Sequence, residues 1–373
     1  MIPVFKPLIE KEEKDASVNA LDLGWLGMGS FVNDFESSLK QFTQCNDRHV
    51  AAVSTGHAAL HIALMIAGVQ PGDEVITPSF NNIADLQAIL AVGANPVFCD
   101  IEEESLCIDL KKAAALVTAK TKVMIVMDYD CILCDHDGVA EFARKHKIRI
   151  IHDAAHSFGS KYKGKMIGSF SDITMFSFDP VKTITCIDGG ALIVRTKEEL
   201  EQIHEMRLIG MGQPATMMYE NKRAWTYDVK RLGFRYHMAN LHAAIGLAQI
   251  AKMNKIGESR RMAGLKYNQE LASVKGIITP KSDFVDIVPF LYYIRVLNGK
   301  REELIKFLKE NGVDTGIHWQ PGHWFSLFKN EKCGDLTVTE TIGKEILSLP
   351  LHSLMKEEDI IHVVKMIKLF FEK

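Results

Sequence analysis

The sequence predicts an α/β protein with a mostly parallel β-sheet and a smaller C-terminal α+β domain. Between residues 49 and 151, short apolar strands alternate with helices, as in parallel sheets that are covered on both faces. From about residue 275 the pattern changes to shorter, mixed elements, which indicates a second domain. A chain of 373 residues is long enough for one large and one small domain. We therefore predict a large domain over residues 1–257, and a bridging helix with the small domain over 258–373.

The periodicity of apolar residues predicts the individual elements. We predict strands at 49–53, 74–77, 96–99, 123–127, 148–151, 173–178 and 190–194. We predict helices at 8–22, 31–42, 57–67, 83–92, 110–117, 139–145, 197–211, 239–254 and 258–273. A long loop is expected at 212–232, short strands or helices at 290–296, 301–311 and 315–319, and a helical end from about 357. Ligands of such sheets bind at the carboxyl ends of the strands.

Composition and charge exclude several classes of protein. The net charge is −3 and the chain has no basic tail, so nucleic-acid or membrane-surface binding has no electrostatic support. No apolar run reaches transmembrane length and the N-terminus lacks the pattern of a signal peptide. The seven cysteines are scattered and odd in number, as expected for reduced thiols in a cytoplasmic protein.

Cys131 and Cys134 have the spacing of a CxxC motif. A zinc site would need a second ligand pair, and no pair has the required spacing, so we predict no metal site. A redox pair remains possible, although the usual βαβ context differs. We treat the spacing as incidental.

Lys182 is the first candidate catalytic residue. It lies on the connection between the predicted strands 173–178 and 190–194, next to apolar Val181 and Ile184. Apolar surroundings disfavour an ammonium group, so the pKa of the amine falls and the lysine becomes a nucleophile suited to a Schiff base. Alone, a lysine is more often a solvated surface charge.

Three further features strengthen the assignment. Gly56 follows a strand and opens a helix, where free amides and the helix dipole can hold a phosphate, although a simple helix cap by Ser54 or Thr55 fits equally. Asp153 ends a buried strand and could pair with a protonated ring nitrogen, or cap a turn. Ser177 stands five residues before Lys182 and could reach a phosphate. Together these are the parts of a pyridoxal phosphate site, with Lys182 and Asp153 as catalytic residues.

At these residues the sequence resembles the DegT/DnrJ/EryC1/StrS family of pyridoxal-phosphate-dependent nucleotide-sugar aminotransferases. The resemblance extends over nearly the whole chain. The matching motifs lie at residues 2–4, 24–26, 72–80, 93–98, 153–156, 177–190, 243–247 and 346–352. The resemblance implies the aspartate-aminotransferase-like fold, known as fold type I.

The resemblance also implies a role for each matching residue around the cofactor. Lys182 matches the Schiff-base lysine and Asp153 the partner of the ring nitrogen. His156 matches a residue that contacts the ring near O3′. Ser177 matches a phosphate ligand, and Gly56-His57 matches the phosphate turn.

Other positions are implied to bind substrate or a neighbouring subunit. Arg235 lies in a stretch that matches one reaching the partner's cofactor in the family, which implies a homodimer with shared active sites. Trp25, His318 and His323 match positions expected to bind substrate. The implied partners are a nucleotide-linked keto sugar and L-glutamate, with no nucleic acid and no membrane.

Several residues depart from the family pattern. His57 replaces a threonine, and Asn82 stands where an aromatic side chain usually stacks on the cofactor ring; His57 or Phe80 could take over that contact. Asp128 and Asp130 replace residues of a common His-Tyr-Gly-Gly stretch, so we expect two extra carboxylates near the cleft. Asp188 replaces a glutamate. Arg235 replaces an asparagine and could pair with the partner's cofactor phosphate.

The predicted function is amino transfer from L-glutamate to C3 or C4 of a nucleotide-linked keto-6-deoxysugar. The expected setting is biosynthesis of a surface polysaccharide, such as an O-antigen or lipopolysaccharide, or of another glycan. One alternative is a sugar dehydratase or other elimination enzyme with the same cofactor. Relatives of that kind replace the lysine by histidine, so Lys182 argues against it. The other alternative is a non-catalytic regulatory protein on the same scaffold.

Overall fold

The structure, a computed structural model, describes residues 1–212 and 215–372. The strands are β1 (His49–Val53), β2 (Glu74–Pro78), β3 (Asn95–Cys99), β4 (Thr121–Met127), β5 (Arg149–Asp153), β6 (Lys161–Tyr162), β7 (Lys165–Met166), β8 (Ile173–Ser177), β9 (Gly190–Val194), β10 (Ile277–Ile278), β11 (Tyr292–Val296), β12 (Lys332–Cys333) and β13 (Ile346–Leu349). The helices are α1 (Lys11–Asp22), α2 (Ser30–Phe42), α3 (Gly56–Ile66), α4 (Ile83–Ala91), α5 (Leu110–Leu116), α6 (His136–His146), α7 (Lys197–Met206), α8 (Ala215–Tyr219), α9 (Asn240–Ala251), α10 (Met253–Leu271), α11 (Arg301–Glu310), α12 (Thr337–Glu345) and α13 (Glu357–Phe371). A 3₁₀ turn covers Gly322–Trp324.

Eight strands form the large sheet in the order β1-β9-β8-β5-β4-β2-β3-β12. Strand β9 is antiparallel to both of its neighbours, β1 and β8. The other neighbouring pairs are all parallel, so β8, β5, β4, β2, β3 and β12 run in the same direction. This confirms the predicted fold class. Parallel strands end at the same edge, so the carboxyl ends of β5 and β8 lie side by side there.

The register of three strands positions the candidate site. Ser177 at the end of β8 and Val53 at the end of β1 both pair with Gly190, the first residue of β9. The chain leaving β1 therefore enters α3 directly beside Ser177. Asp153, the last residue of β5, pairs with Met175 on β8. Residues that are far apart in sequence thus meet at one edge because of strand order.

Helices cover both faces of the large sheet. Helix α3 is apolar on nearly all sides and packs between the sheet and α4, as a buried helix does. On the other face, α2 and α9 pack against each other and bury Phe35 and Ala243 with Phe176 of β8. In the described residues, 1–212 and 215–372, no helix has both the length and the apolarity needed to cross a membrane.

The C-terminal part is built on a three-stranded antiparallel sheet in the order β10-β11-β13. Helices α10 and α11 both pack against α13, and α12 packs against β11. Helix α10 runs without interruption from Met253 to Leu271, so the predicted boundary at residue 257 falls inside it. The division into two domains stays a prediction.

The structure corrects several predicted elements. The predicted helix 197–211 ends at Met206, where the side chain of Arg207 turns inward and binds Glu36 and the carbonyl of Ala52. The predicted loop 212–232 contains α8, and its residues 213–214 lie outside the described residues. At 315–319 only one isolated bridge forms, from Gly316 to Ser348. The two-residue strands β6, β7, β10 and β12 were not predicted, because such short pairings leave no periodicity.

Candidate active site

A cavity of about 370 Å³ opens at the carboxyl ends of β1, β5 and β8. It brings together eight of the predicted site residues: Gly56, His57, Asn82, Asp153, His156, Ser177, Lys182 and His318. Apolar side chains of Phe5, Leu60, Val181, Phe290 and Trp319 complete much of its wall. A cavity with apolar walls and a few convergent polar groups is the usual form of a cofactor site.

Lys182 projects into this cavity from the turn that follows β8. Its backbone amide bonds to the carbonyl of Asp179, which closes the turn and fixes the direction of the chain. The amine lies 4.4 Å from the centre of the Phe290 ring. Burial lowers the pKa of the Lys182 amine, although the carboxylates of Asp153 and Asp130 act in the opposite direction. A neutral amine is the form that attacks a carbonyl.

Asp153 lines the same cavity and is only 3% exposed. Its Oδ1 accepts a hydrogen bond of 2.9 Å from the amide of Ala155, which fixes the orientation of the carboxyl group. A buried carboxylate that faces a cavity is a suitable partner for a protonated ring nitrogen.

The start of α3 forms a cradle for a phosphate. Thr55 Oγ1 caps the helix by accepting a hydrogen bond from the amide of Ala58. The alternative interpretation of this segment as a helix cap is therefore also correct. In the described residues, no hydrogen bond involves the amides of Gly56 and His57, which are therefore available to a ligand. A Cβ at Gly56 would stand 2.8 Å from both Cβ and Oγ of Ser177. The close approach of Gly56 and Ser177 thus depends on glycine, and these donors fit the phosphate of the predicted cofactor.

His156 is 1% exposed, and its ring packs between Phe290 and Trp319, with ring centres 4.6 Å and 5.8 Å away. Burial, together with the charge of Lys182, holds the pKa of His156 well below its usual value. Its Nδ1 lies 3.0 Å from Oδ1 of Asp130. Burial raises the pKa of Asp130 to about 7, although His318 and Lys182 lower it. We predicted an extra carboxylate near the cleft at Asp130, but not its contact with His156.

Asn82 lines the cavity, but its side-chain oxygen caps α4 by accepting from the amide of Ala84 at 2.8 Å. Phe80 does not replace the missing aromatic side chain, because it is fully buried against Tyr129 and does not line the cavity. His57 does line the cavity and its side chain is exposed. Of the two predicted substitutes, only His57 is placed to contact a ring.

Three predicted residues lie elsewhere. Trp25 and Arg235 line a second cavity of about 390 Å³, between the turn after α1 and the segment around α8. His323 does not line the first cavity; its Nδ1 is 2.8 Å from Ser79 Oγ, and its Nε2 is 3.5 Å from Glu340.

Asp128 was expected near the cleft, and the structure corrects this. Its two carboxylate oxygens bind His136 Nε2 at 2.9 Å and His152 Nε2 at 2.7 Å. Ser157 Oγ and the amide of Cys134 also donate to them. The three side chains of Asp128, His136 and His152 are close enough to share a metal ion. However, four hydrogen bonds already satisfy the carboxylate, so the cluster is a closed polar network.

The CxxC pair is buried and consists of free thiols. Burial raises the pKa of Cys131 well above its usual value, and hydrogen bonding to Cys107 together with burial does the same for Cys134. A redox pair needs an accessible thiolate of low pKa. The geometry therefore argues against the redox alternative.

Several residues of the cavity wall were not predicted as site residues, among them the large apolar side chains of Phe5, Leu60, Val181, Phe290 and Trp319. Phe5 comes from the N-terminal segment and Phe290 from the segment before β11, and both are far in sequence from the ends of β1, β5 and β8. Single apolar residues in irregular segments carry no periodic signal, although Trp319 adjoins the predicted His318.

Comparison with known proteins gives consistent results. The spore coat polysaccharide biosynthesis protein SpsC of Bacillus subtilis is 33% identical over 376 residues, which cover 98% of this chain and 96% of SpsC. The aminotransferase TlmJ of Streptoalloteichus hindustanus superposes with a TM-score of 0.91 at 28% identity, covering 99% of this chain and 98% of TlmJ. The PLP form of the putative sugar aminotransferase Spr1654 of Streptococcus pneumoniae gives a TM-score of 0.91 at 26% identity, covering 100% of this chain and 98% of that one.

The sequence also matches the profile of the DegT/DnrJ/EryC1/StrS aminotransferase family over residues 7–368, nearly the whole chain. With the lysine, the aspartate and the phosphate cradle in one cavity, the chain has the residues that the cofactor of this family requires. The protein is a pyridoxal-phosphate-dependent sugar aminotransferase and belongs to the DegT/DnrJ/EryC1/StrS family.

Proposed function

We propose that the protein transfers the amino group of L-glutamate to C3 or C4 of a nucleotide-linked keto-6-deoxysugar. The observation that supports this most directly is the placement of Lys182 and Asp153 in the same cavity as the cradle at Gly56. SpsC, by its name, acts in the biosynthesis of a spore coat polysaccharide, which supports a role for this chain in making a surface glycan.

Each residue of the cavity has a part in the proposed reaction. Gly56, His57 and Ser177 hold the phosphate and so anchor the cofactor. When bound, pyridoxal phosphate supplies a carbonyl that takes up the amino group and a ring that withdraws electrons. Asp153 would accept a hydrogen bond from the ring nitrogen and help to keep it protonated. Lys182 Nζ would act as the base that takes a proton from the substrate carbon and, once protonated, as the acid that gives a proton back.

The groups around the Lys182 amine favour proton transfer both to and from its nitrogen. Burial makes the neutral form of Lys182 Nζ accessible, and the nearby Asp153 and Asp130 stabilise its protonated form. An amine whose pKa is lowered by burial and that has carboxylates nearby can both take up a proton and give it back. His318 and Trp319 line the same cavity, and a substrate sugar would lie against them.

We also propose a homodimer with shared active sites, in the cytoplasm. Arg235 lines a cavity other than that of Lys182, so an Arg235 that binds the cofactor phosphate would have to come from a second copy. Exposed apolar side chains in the same segment, among them Trp225 at 89% and Leu232 at 71%, support an interface there. The seven cysteines are free thiols, as expected in a reducing compartment.

The function is tested with a panel of nucleotide-linked 3-keto and 4-keto sugars, with glutamate consumption as the readout. We expect one member of the panel to be aminated and 2-oxoglutarate to form in equal amount. Borohydride should fix the chromophore at Lys182 in the wild type and not in Lys182→Ala. If Lys182→Ala retained full amino transfer, the assigned role of the lysine would be wrong.

Shared active sites are tested by mixing two inactive variants, Lys182→Ala and Arg235→Ala. In a mixed dimer, one site keeps both native residues, so random exchange should restore up to about a quarter of wild-type activity. If equilibrated mixtures of the two variants stay inactive while native mass spectrometry shows mixed dimers, Arg235 does not act across subunits.

A further inference from the structure

A second carboxyl group, Asp85, interacts with Asp153. Its sequence neighbours Asn82 and Ala84 line the same cavity as Asp153. Asp85 belongs to the first turn of α4 and is fully buried, at 0% exposure. Its side chain is within hydrogen-bond reach of the Asp153 carboxyl and close enough to Lys182 to interact with its charge. Asp85 does not line the cavity, and the mechanism described above assigns it no role.

The two oxygens of Asp85 are in different situations. Oδ2 accepts from Asn81 Nδ2 at 2.5 Å, and the same nitrogen donates to Thr77 Oγ1 at 3.2 Å. Oδ1 is buried and receives no hydrogen bond from the described residues, 1–212 and 215–372. A buried carboxylate oxygen without a donor costs free energy, whereas a protonated oxygen becomes a donor itself.

Two buried carboxyl groups in contact do not both ionise readily. Burial, and the charge of Asp153 in addition, raise the pKa of Asp85 well above its usual value. The start of a helix favours a negative charge at this place, so the pair keeps one charge rather than none. Asp153 already accepts a hydrogen bond from the amide of Ala155, which favours the charge on Asp153.

We propose that Asp85 is protonated and donates a hydrogen bond to the ionised carboxylate of Asp153, acting as a positioning residue for the cofactor's ring nitrogen. The inference deepens the function proposed above, since it rests on the role of Asp153. With donors from both Asp85 and Ala155, the Asp153 carboxylate has a fixed plane. It would be held in the orientation in which it can accept a hydrogen bond from the ring nitrogen of the bound cofactor.

Infrared spectroscopy of the holoenzyme at neutral pH tests the protonation directly. We expect the wild type to show a C=O stretch of a protonated carboxyl group that is shifted by ¹³C-aspartate labelling and lost in Asp85→Asn. A band from Asp130, whose pKa is raised to about 7, should be the same in both proteins. If the spectra of wild type and Asp85→Asn were the same in this region, the proposal would be wrong. The readout does not depend on any sugar substrate, so it can fail or succeed independently of the proposed reaction.

Cofactor affinity tests the hydrogen bond to Asp153. Asp85→Asn keeps an N–H donor of similar size, and we expect its dissociation constant for pyridoxal phosphate to stay within about threefold of wild type. Asp85→Leu removes the donor, and we expect affinity to fall about tenfold or more, since a hydrogen bond to a charged group is lost. Asp85→Ala is the substitute variant if Asp85→Leu does not fold; it also has no side-chain donor, so the same loss is expected. Equal affinities for wild type and the variant lacking the donor would overturn the proposal.

Discussion

The amine of Lys182 lies 4.4 Å from the ring centre of Phe290, which belongs to the segment just before β11. Phe290 in turn stacks on Phe5 at 5.5 Å and packs against His156 at 4.6 Å. An aromatic face attracts an ammonium group, whereas burial favours the neutral amine. The proton affinity of Lys182 thus depends on the packing of three segments that are distant in sequence, those of Phe5, His156 and Phe290.

Replacing Phe290 by leucine should make Lys182 easier to deprotonate. A cation–π contact contributes about 0.5–2 kcal/mol, which corresponds to roughly 0.4–1.5 pKa units. We expect the pH midpoint for capture of pyridoxal phosphate by the apoprotein to fall by about that amount. The measurement is the rate of chromophore formation between pH 6 and pH 11.

Phe5→Leu is the matched control for this change. Phe5 stacks on Phe290, but no cation–π contact joins it to the lysine amine. We expect its pH midpoint to remain within about 0.3 units of wild type, because the face under the amine is kept. Equal shifts in the two variants would mean that packing, and not the contact of the ring with the charge, sets the proton affinity of Lys182.

Gly56→Ala should weaken phosphate binding at the start of α3. The new Cβ would lie 2.8 Å from Cβ and Oγ of Ser177, a distance at which one of the two backbones must move. We expect the affinity for pyridoxal phosphate to fall by at least about tenfold, and stability to fall by roughly 1–3 kcal/mol from overpacking. Fluorescence titration and urea unfolding measure the two effects.

A second substitution checks the cause. Ser177→Gly removes both atoms that would clash, so the double variant Gly56→Ala/Ser177→Gly should recover most of the lost stability. It should not recover full cofactor affinity, because the Ser177 hydroxyl is gone. A double variant as unstable as Gly56→Ala alone would show that contact with Ser177 is not the cause.

The fold and part of the site follow from local patterns in the sequence. Asp153, Ser177 and Gly56 lie at the ends of strands or the start of a helix, and the rules of parallel sheets bring such positions together. The position of Phe290 does not follow, because a single aromatic residue in an irregular segment has no period that reveals its partner.

The environment of the extra carboxyl groups could not be predicted either. Asp128 turns away from the cleft because His136 at the start of α6 and His152 on β5 bind its two oxygens. Asp85 interacts with Asp153 because α4 begins at the cavity, where Asn82 and Ala84 line the wall together with Asp153. Such pairings depend on the packing of elements that are distant in sequence, and no alternation or spacing encodes them.

The Asp128 network should stabilise the fold without a metal ion. Although burial opposes it, the charges and hydrogen bonds of His152 and His136 hold the pKa of Asp128 well below its usual value. Asp128→Ala would leave two buried imidazoles without their acceptor, and we expect a loss of about 3–5 kcal/mol in the free energy of unfolding. Because the carboxylate is already satisfied, a chelator should not change the melting temperature of the wild type.

The control for this prediction is Asp137→Asn, which removes an exposed ion pair with Lys163 and should leave the unfolding midpoint unchanged. A fall in the melting temperature of the wild type on chelation, reversed by a divalent metal, would contradict the interpretation of the cluster as a closed hydrogen-bond network.

Asp130 should make the apoprotein less stable as the pH rises from 5 to 8. Its pKa is raised from 3.8 to about 7 in the folded state because the carboxyl group is buried. Between these two values the folded state binds the proton more tightly than the unfolded state, so stability falls with rising pH and levels off above about pH 7. From pH 5 upwards the loss is on the order of 2–3 kcal/mol.

Asp130→Asn cannot ionise, so this contribution to the pH dependence should disappear. We expect the variant to gain about 2–3 kcal/mol over wild type between pH 5 and pH 8, measured by urea unfolding of the apoproteins at each pH. Asp34→Asn, at an exposed aspartate, should follow the wild-type curve. If the difference between Asp130→Asn and wild type were the same at pH 5 and pH 8, Asp130 would be ionised in the folded protein throughout this range. In that case the 3.0 Å contact between His156 Nδ1 and Asp130 Oδ1 would involve a carboxylate that stays ionised between pH 5 and pH 8.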